Sequence, residues 1–355
     1  MVRTVDVRDQ KKTMRVLMIT CEWPSPSNPH GVPFIVRQVE FLRKAGVDVD
    51  VFAFRGAKNP FRYLRAWFGV HRRIRQGSYD LLHAQWGQSA ITALPTRLPL
   101  VVTFRGGEGE GLVGRSGNYI ALGHVLRAIG FFIARRATEL VLVSPHMQKF
   151  LPHRRFHIIP SGLDFSKLPL IPQAEARRQL GLPIAKPLVL FVGDPNEARK
   201  RYDLARQIVS KMDDELQAEL VLAWNVPHNI IPVYMNACDA LLFTSIYEGS
   251  PNVIKEALAC NLPIVSTAVG DVTERLKGMT GCSVFEEVDI EEMADALKDI
   301  LQRGERIDGR GAVSDLDENL LAQKMIGVYQ RALAGGQPVV DRWELEESES
   351  GPIRR

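Results

Sequence analysis

The chain is expected to fold as an α/β protein with two parallel sheets, one in each of two domains that face each other across a cleft. Three observations predict it. Short apolar runs alternate with helical stretches through most of the 355 residues, the pattern of parallel sheets covered on both faces. The alternation breaks once, at SGLDFSKLPLIPQ (161–173), which is rich in turn formers and reads as a connection between domains. It then restarts, and the length suits two domains.

The elements follow in order. MRVLMIT (14–20) is a strand, and 33–46 is a helix that ends in glycine. VDVDVFAF (47–54) alternates strictly and reads as the second strand. A basic helix covers about 60–76. Further strands fall at 80–84, 99–104, 139–143 and 156–160, with helices near 119–136 and 145–151. After the break, strands are expected at 187–193, 219–224, 239–244 and 263–267, and a last helix over about 316–334. The divisions are then a first domain over 1–165, a linker over 166–185 and a second domain over 186–315. A terminal helix follows over 316–340 and a tail over 341–355. In parallel α/β sheets ligands bind at the carboxyl ends of strands, so two facing domains pool those ends in one cleft.

Composition excludes several classes. The chain is 45% hydrophobic and 24% charged, ordinary for a soluble protein. No apolar run reaches eighteen residues, and the charged start MVRTVDVRDQKKT lacks the apolar core of a signal peptide. Cys21, Cys238, Cys260 and Cys282 show no CxxC spacing and read as reduced core residues of a cytoplasmic protein, not metal ligands. GEGLVG (109–114) has the GxGxxG spacing, but it starts four residues past its strand and does not open the helix expected near 119–136, which disfavours a dinucleotide oxidoreductase. The charge is split. Residues 1–170 hold 25 Lys and Arg against 11 Asp and Glu, a balance of +14, and the remainder balances at −10. The first half is therefore expected to face something anionic.

The stretch 247–276, YEGSPNVIKEALACNLPIVSTAVGDVTERL, carries most of the functional signal. Glu248 lies on a loop after an apolar strand. Ser250 reads as a helix N-cap and Pro251 as the first helical residue, so Glu256 sits on the helix, beside a row of unbonded backbone N–H groups. A ligand with two separated sets of hydroxyls and a diphosphate between them fits this spacing, and a nucleotide sugar is such a ligand.

The glutamate pair and the thirty residues around it resemble the signature of retaining glycosyltransferases of family 4. Those enzymes have two facing Rossmann-like domains, the GT-B fold. The wording looks most like bacterial enzymes of cell-surface polysaccharide synthesis, including the teichuronic acid group. The resemblance implies that Glu248 bonds hydroxyls of the donor sugar and that Glu256 holds the ribose. Gly249, Ser250, Pro251, Asn252 and Val253 would form the donor cradle between them. In FVGDPNEARKRYDLA, Gly193 and Lys200 match the family's Gly and its diphosphate-binding Lys. The family's Arg after the Gly is Asp194 here, so Arg199 or Arg201 would have to supply that charge. Gly31 matches the second glycine of a turn near the diphosphate. Arg105 stands where the family commonly has a His beside the reacting carbon, and unlike His it cannot act as a base near neutrality.

His83, at the end of the third strand, and Glu108 and Arg115, in the glycine-rich loop 106–117, are placed on the acceptor side. The resemblance implies a UDP- or GDP-sugar as donor, no bound cofactor or metal, no nucleic acid partner, and a glycan or lipid-linked acceptor. Alternatives on the same fold are a sugar-nucleotide 2-epimerase and a non-catalytic nucleotide-sugar-binding protein. The stretch 55–77 carries Arg55, Lys58, Arg62, Arg65, Arg72, Arg73 and Arg75 and no acid. Phe61, Leu64, Trp67, Phe68 and Ile74 are expected on one broad helical face. Basic amphipathic helices bind anionic membrane surfaces, so a cytoplasmic location is expected with the inner face of the membrane as a candidate peripheral site; the alternative is a domain helix whose apolar face covers the sheet and whose basic face is solvated.

Overall fold

The computed structural model describes residues 13–26, 29, 31–56, 59–106, 121–150, 155–212 and 216–335. Of the sequence-derived candidates, Lys58, Glu108 and Arg115 lie outside the described residues.

The first domain contains β1 (Arg15–Thr20), α1 (Pro33–Lys44), β2 (Asp48–Ala53), α2 (Pro60–Gln76), β3 (Leu81–Gln85), β4 (Leu100–Phe104), α3 (Ala121–Ala134), β5 (Glu139–Leu142) and β6 (His157–Ile158). These strands form one parallel sheet in the order β2-β1-β3-β4-β5-β6. The expected strand 156–160 shrinks to two residues at the sheet edge.

The chain then runs through α4 (Gln173–Leu180), β7 (Leu188–Val192), α5 (Tyr202–Ser210), β8 (Glu219–Ala223), α6 (Ile231–Ala237) and β9 (Ala240–Phe243). It continues with α7 (Asn252–Ala259), β10 (Ile264–Thr267), α8 (Val272–Leu276), β11 (Cys282–Phe285), α9 (Ile290–Arg303) and α10 (Glu318–Leu333). The second sheet is also parallel, in the order β11-β10-β9-β7-β8. Its central strands are apolar throughout because helices cover both faces; Leu188, Val189, Leu190, Leu241 and Leu242 are all buried.

Each sheet has one point where strand order reverses, between β1 and β3 in the first and between β7 and β9 in the second. The loops leaving these strands flank a crevice at each point, where α/β sheets bind ligands.

The segment expected to be a plain linker is not one. Helix α4 inside it packs on the second domain through Arg177, which is 3% exposed. Its guanidinium donates to the carbonyls of Ala237, Ile184 and Lys186 and pairs with Asp239 at 2.7 Å. Two strands of chain cross between domains side by side. Leu163 N–H donates to Leu316 O and Glu318 N–H donates to Leu163 O. Past this crossing α10 lies against the first domain, where Leu321, Met325, Val328 and Tyr329 share a core with Ile35, Val39 and Leu42 of α1 and Val16 and Met18 of β1.

Candidate active site

The reversal point of the second sheet gathers the charged candidates. Gly193 follows β7 with φ near +145°, a backbone setting that glycine adopts readily. A Cβ there would meet the methylenes of Lys200 at 3.5 Å, so the lysine stem lies across it. The loop after β9 is tied to this turn: Thr244 Oγ1 donates to Lys200 O at 2.7 Å, and Ile246 N–H donates to Arg199 O.

Glu248 is then held by one oxygen. Lys200 Nζ is 2.6 Å from its Oε1, Ser245 Oγ donates to the same atom at 3.2 Å, and Arg199 pairs with it as well. Oε2 has no donor among the described residues. Burial opposes the charge on Glu248, but Lys200 and Arg199 outweigh burial and hold the carboxyl below its ordinary value. Glu248 is thus ionised at neutral pH, and Arg199 also pairs with Glu197 at 2.8 Å. Asp194, in the family's Arg position, accepts from Asn196 N–H at 2.9 Å. Arg201 adopts a left-handed conformation at the start of α5 and makes no ion pair among the described residues.

Helix α7 begins one residue later than the sequence suggests. Pro251 takes the N-cap position with extended backbone, and no side chain caps the first turn. Ser250 Oγ instead donates to Asp271 at 2.8 Å. The first N–H groups of α7 therefore remain open to an anion. Glu256, 5% exposed, accepts from His228 Nε2 at 3.1 Å. Burial again works against its charge, and His228 leads the groups that keep the carboxyl below its usual range. Gly249 joins the domains. A Cβ there would lie 2.5 Å from the carbonyl oxygen of Arg105 and 3.3 Å from Gly106 Cα.

A cation pair on a carboxylate at one reversal point, with a second carboxylate a helix turn further in, is the arrangement expected for a nucleotide-sugar site, and known proteins carry the same chain plan. Residues 11–162 match the model described as a glycosyl transferase 4-like domain, and residues 188–303 match the model of glycosyl transferases group 1. The chain belongs to the GT-B glycosyltransferases. It is 25% identical to TuaC of Bacillus subtilis, whose name places it in teichuronic acid biosynthesis as a glycosyltransferase; the match covers 73% of this chain and 82% of TuaC. Among solved structures, the sucrose-phosphate synthase of Thermosynechococcus elongatus matches with a TM-score of 0.72 at 17% identity, over 91% of this chain and 100% of that one. The Anabaena protein HepE in complex with UDP-glucose matches with a TM-score of 0.62 at 17% identity, over 89% of this chain and 99% of HepE. At those identities the structures speak for the fold alone.

On the first-domain side of this GT-B glycosyltransferase, two candidates fall elsewhere than the sequence suggests. His83 is fully buried between Tyr329 OH at 2.7 Å and Thr103 Oγ1 at 2.8 Å. Burial, with Arg105 adding to it, pushes its imidazole down to about 3, so it is a neutral core residue and not a group lining the cleft. Arg105 spreads its guanidinium over Gln85 Oε1 at 2.9 Å, Ser161 Oγ at 2.8 Å and Gln38 Oε1 at 3.4 Å, with Phe34 beneath. It ties the first sheet to the interdomain crossing, while its backbone meets Gly249. Gly31 lies at the first sheet's reversal point and lines a cavity there.

Sequence reasoning missed three residues. His228 follows β8, and the strand-end rule that flagged other loops also covers it. Lys255 is 1% exposed on a helix buried all round, and its Nζ donates to Ser161 O at 3.2 Å. Glu318, 2% exposed, opens α10 and lies 3.6 Å from Arg37. Lys255 and Glu318 carry no periodicity signal, because both meet their partners across the domain junction. Among the described residues, no group of three His, Cys, Asp or Glu side chains is arranged to hold a metal ion.

Proposed function

We propose that this glycosyltransferase is a retaining hexosyltransferase that moves a sugar from a UDP- or GDP-sugar to a cell-surface glycan or lipid-linked acceptor. The observation that carries the reading is the Lys200–Arg199–Glu248 cluster beside the uncapped start of α7. In this reading the diphosphate lies at the open N–H groups of Asn252 and Val253, with Lys200 and Arg199 released to it from Glu248. The freed Glu248 takes hydroxyls of the sugar, and Glu256 takes the ribose hydroxyls in place of His228. As the glycosidic bond breaks, the electron pair moves to the leaving phosphate oxygen. Fixed cations and the helix N-terminus stabilise that charge, and stabilisation of this kind is commonly the main source of rate in such catalysis.

The leaving phosphate then accepts the acceptor's proton on the same face, so no protein base is needed. This agrees with the placement of Arg105 and His83, neither of which is set to take a proton. HepE, which shares the fold, is recorded with UDP-glucose, and the TuaC likeness supports a cell-envelope glycan pathway.

Thermal melting against a panel of nucleotide sugars tests the donor. A true donor at a hundred times its Kd should add about 2.7 kcal/mol of stability; no shift with any UDP- or GDP-sugar would refute the reading. Glu256→Ala should weaken UDP binding about ten- to a hundredfold, since a hydrogen bond to a charged group is worth roughly 1.5–3 kcal/mol. Titration calorimetry measures this, and unchanged affinity would remove the ribose role.

A further inference from the structure

A cavity of about 950 Å³ lies at the reversal point of the first sheet, among the loops after β1, β2 and β3 and helices α2 and α3. Its walls are mostly apolar, with Trp23, Phe54, Tyr63, Ile91, Leu126 and Ile129 among them. Polar groups are interspersed, from Ser25, Asn59, Tyr63 and Gln88. Glu22 and Arg55 also line the cavity. The Glu22 carboxyl is pushed up by burial and by Glu197 of the second domain. Glu197 in turn bonds Arg199 at 2.8 Å, so the Glu22 end of the cavity faces the donor cluster.

The outer end meets an unusual surface. Helix α2 is apolar on two sides, not one. Ala66 and Val70 pack inward and Trp67 Nε1 donates to Leu94 O, whereas Phe61, Leu64 and Phe68 are 78%, 55% and 58% exposed. Their spacing puts them in one stripe. Asn59, Pro60 and Tyr63, at the start of the same helix, line the cavity, so the stripe begins at the cavity rim. Val125 of α3 lines the cavity and is also largely exposed. Beside the stripe stand Arg62, Arg65 and Arg72, which have no acidic partner among the described residues. Arg73 differs, being paired with Asp50 at 2.6 Å.

We infer that the acceptor is a phosphate-bearing lipid, its hydrocarbon chain seated in this cavity and along the α2 stripe and its phosphate met by Arg55. The inference rests on the glycosyltransferase reading and decides between the acceptor classes that reading leaves open. An apolar chamber leading from the donor cluster to an apolar ledge flanked by unpaired arginines matches an anionic head group joined to a hydrocarbon chain. A soluble glycan would leave the apolar part of the chamber and the exposed ledge of Phe61, Leu64 and Phe68 without a partner.

The probe is dodecyl phosphate below its micelle concentration, with inorganic phosphate as control, measured by equilibrium dialysis on the full chain. Dodecyl phosphate is expected to bind and inorganic phosphate at the same concentration is not. Val125→Asp, at an exposed position that folding tolerates, should weaken dodecyl phosphate binding about tenfold or more, and Ile129→Trp, which fills the chamber, should do the same. The melting shift given by UDP should be unchanged in both. A triple variant Phe61→Ser, Leu64→Ser, Phe68→Ser should lose binding to vesicles of phosphatidylcholine with phosphatidylglycerol. Equal binding of both phosphates, no binding of either, or full binding by both cavity variants would overturn the inference. No shift with either UDP or GDP in the unmodified chain would overturn the donor reading instead, and the dodecyl phosphate result would still decide the cavity.

Discussion

Lys200→Ala is expected to cut turnover about a hundred- to a thousandfold, the range found when one fixed donor to a developing anion is removed. The melting temperature should move little. The reason for the contrast lies in the pairing around Glu248. Without Lys200, Glu248 Oε1 keeps Arg199 and Ser245 as partners, so no buried charge is stranded. The backbone contact from Thr244 to the Lys200 carbonyl does not depend on the side chain. The charge that builds on the leaving diphosphate, by contrast, loses one of its two side-chain cations. Steady-state rates with the donor found by the melting panel, beside a melt of the same variant, separate the two effects. A variant that keeps its rate and melts early would make Lys200 a structural residue.

The parts of the molecule that are legible in the sequence are those fixed by local pattern. Central parallel strands must be apolar on both faces, so runs such as PLVLFVG and DALLFT announce themselves, and the loops after them locate Glu248 and Lys200. Local pattern fails where a residue's partner lies far along the chain. His83 ends a strand and so points to the cleft by rule, yet it meets Tyr329, 246 positions away, on a helix returning from the second domain. Arg105 looks like a substitute for a catalytic group, but its guanidinium is taken up by Gln85, Gln38 and Ser161. Helix α2 reads as one amphipathic face because Phe61, Leu64, Trp67, Phe68 and Ile74 crowd together in sequence; only packing shows that Trp67 turns inward while Phe61, Leu64 and Phe68 stay out. The linker hides α4 because its anchor, Arg177, is a charged residue whose burial depends on carbonyls from other segments.

Glu318→Gln is expected to change how stability depends on pH, through a junction that no local pattern reveals. Glu318 is faced by Arg37 of α1, by Arg105 after β4 and by Lys255 of α7, and its side chain lies against Gly162 of the crossing strand. Burial raises its carboxyl to about 7 from an ordinary 4.5, even though Arg37 pulls the other way. The folded chain therefore holds this proton more tightly than the unfolded chain does. Its contribution to stability is full below about 4.5 and is lost as pH rises to about 7, amounting to roughly 3 kcal/mol on the scale of one pKa unit per 1.36 kcal/mol. Lys255 behaves oppositely in a higher window. Burial lowers its amine to about 8 from 10.5, so stability returns as pH rises between those values. Together the two place the least stable point of the junction between about 7 and 8. Glutamine mimics the protonated carboxyl, so the variant should show no decline from this group between pH 5 and 7 and should melt higher than the unmodified chain at pH 8. Melting curves at several pH values over that range test this. Parallel profiles for the two proteins would mean that Glu318 does not titrate at the junction, and that the three cations around it are balanced by some other group.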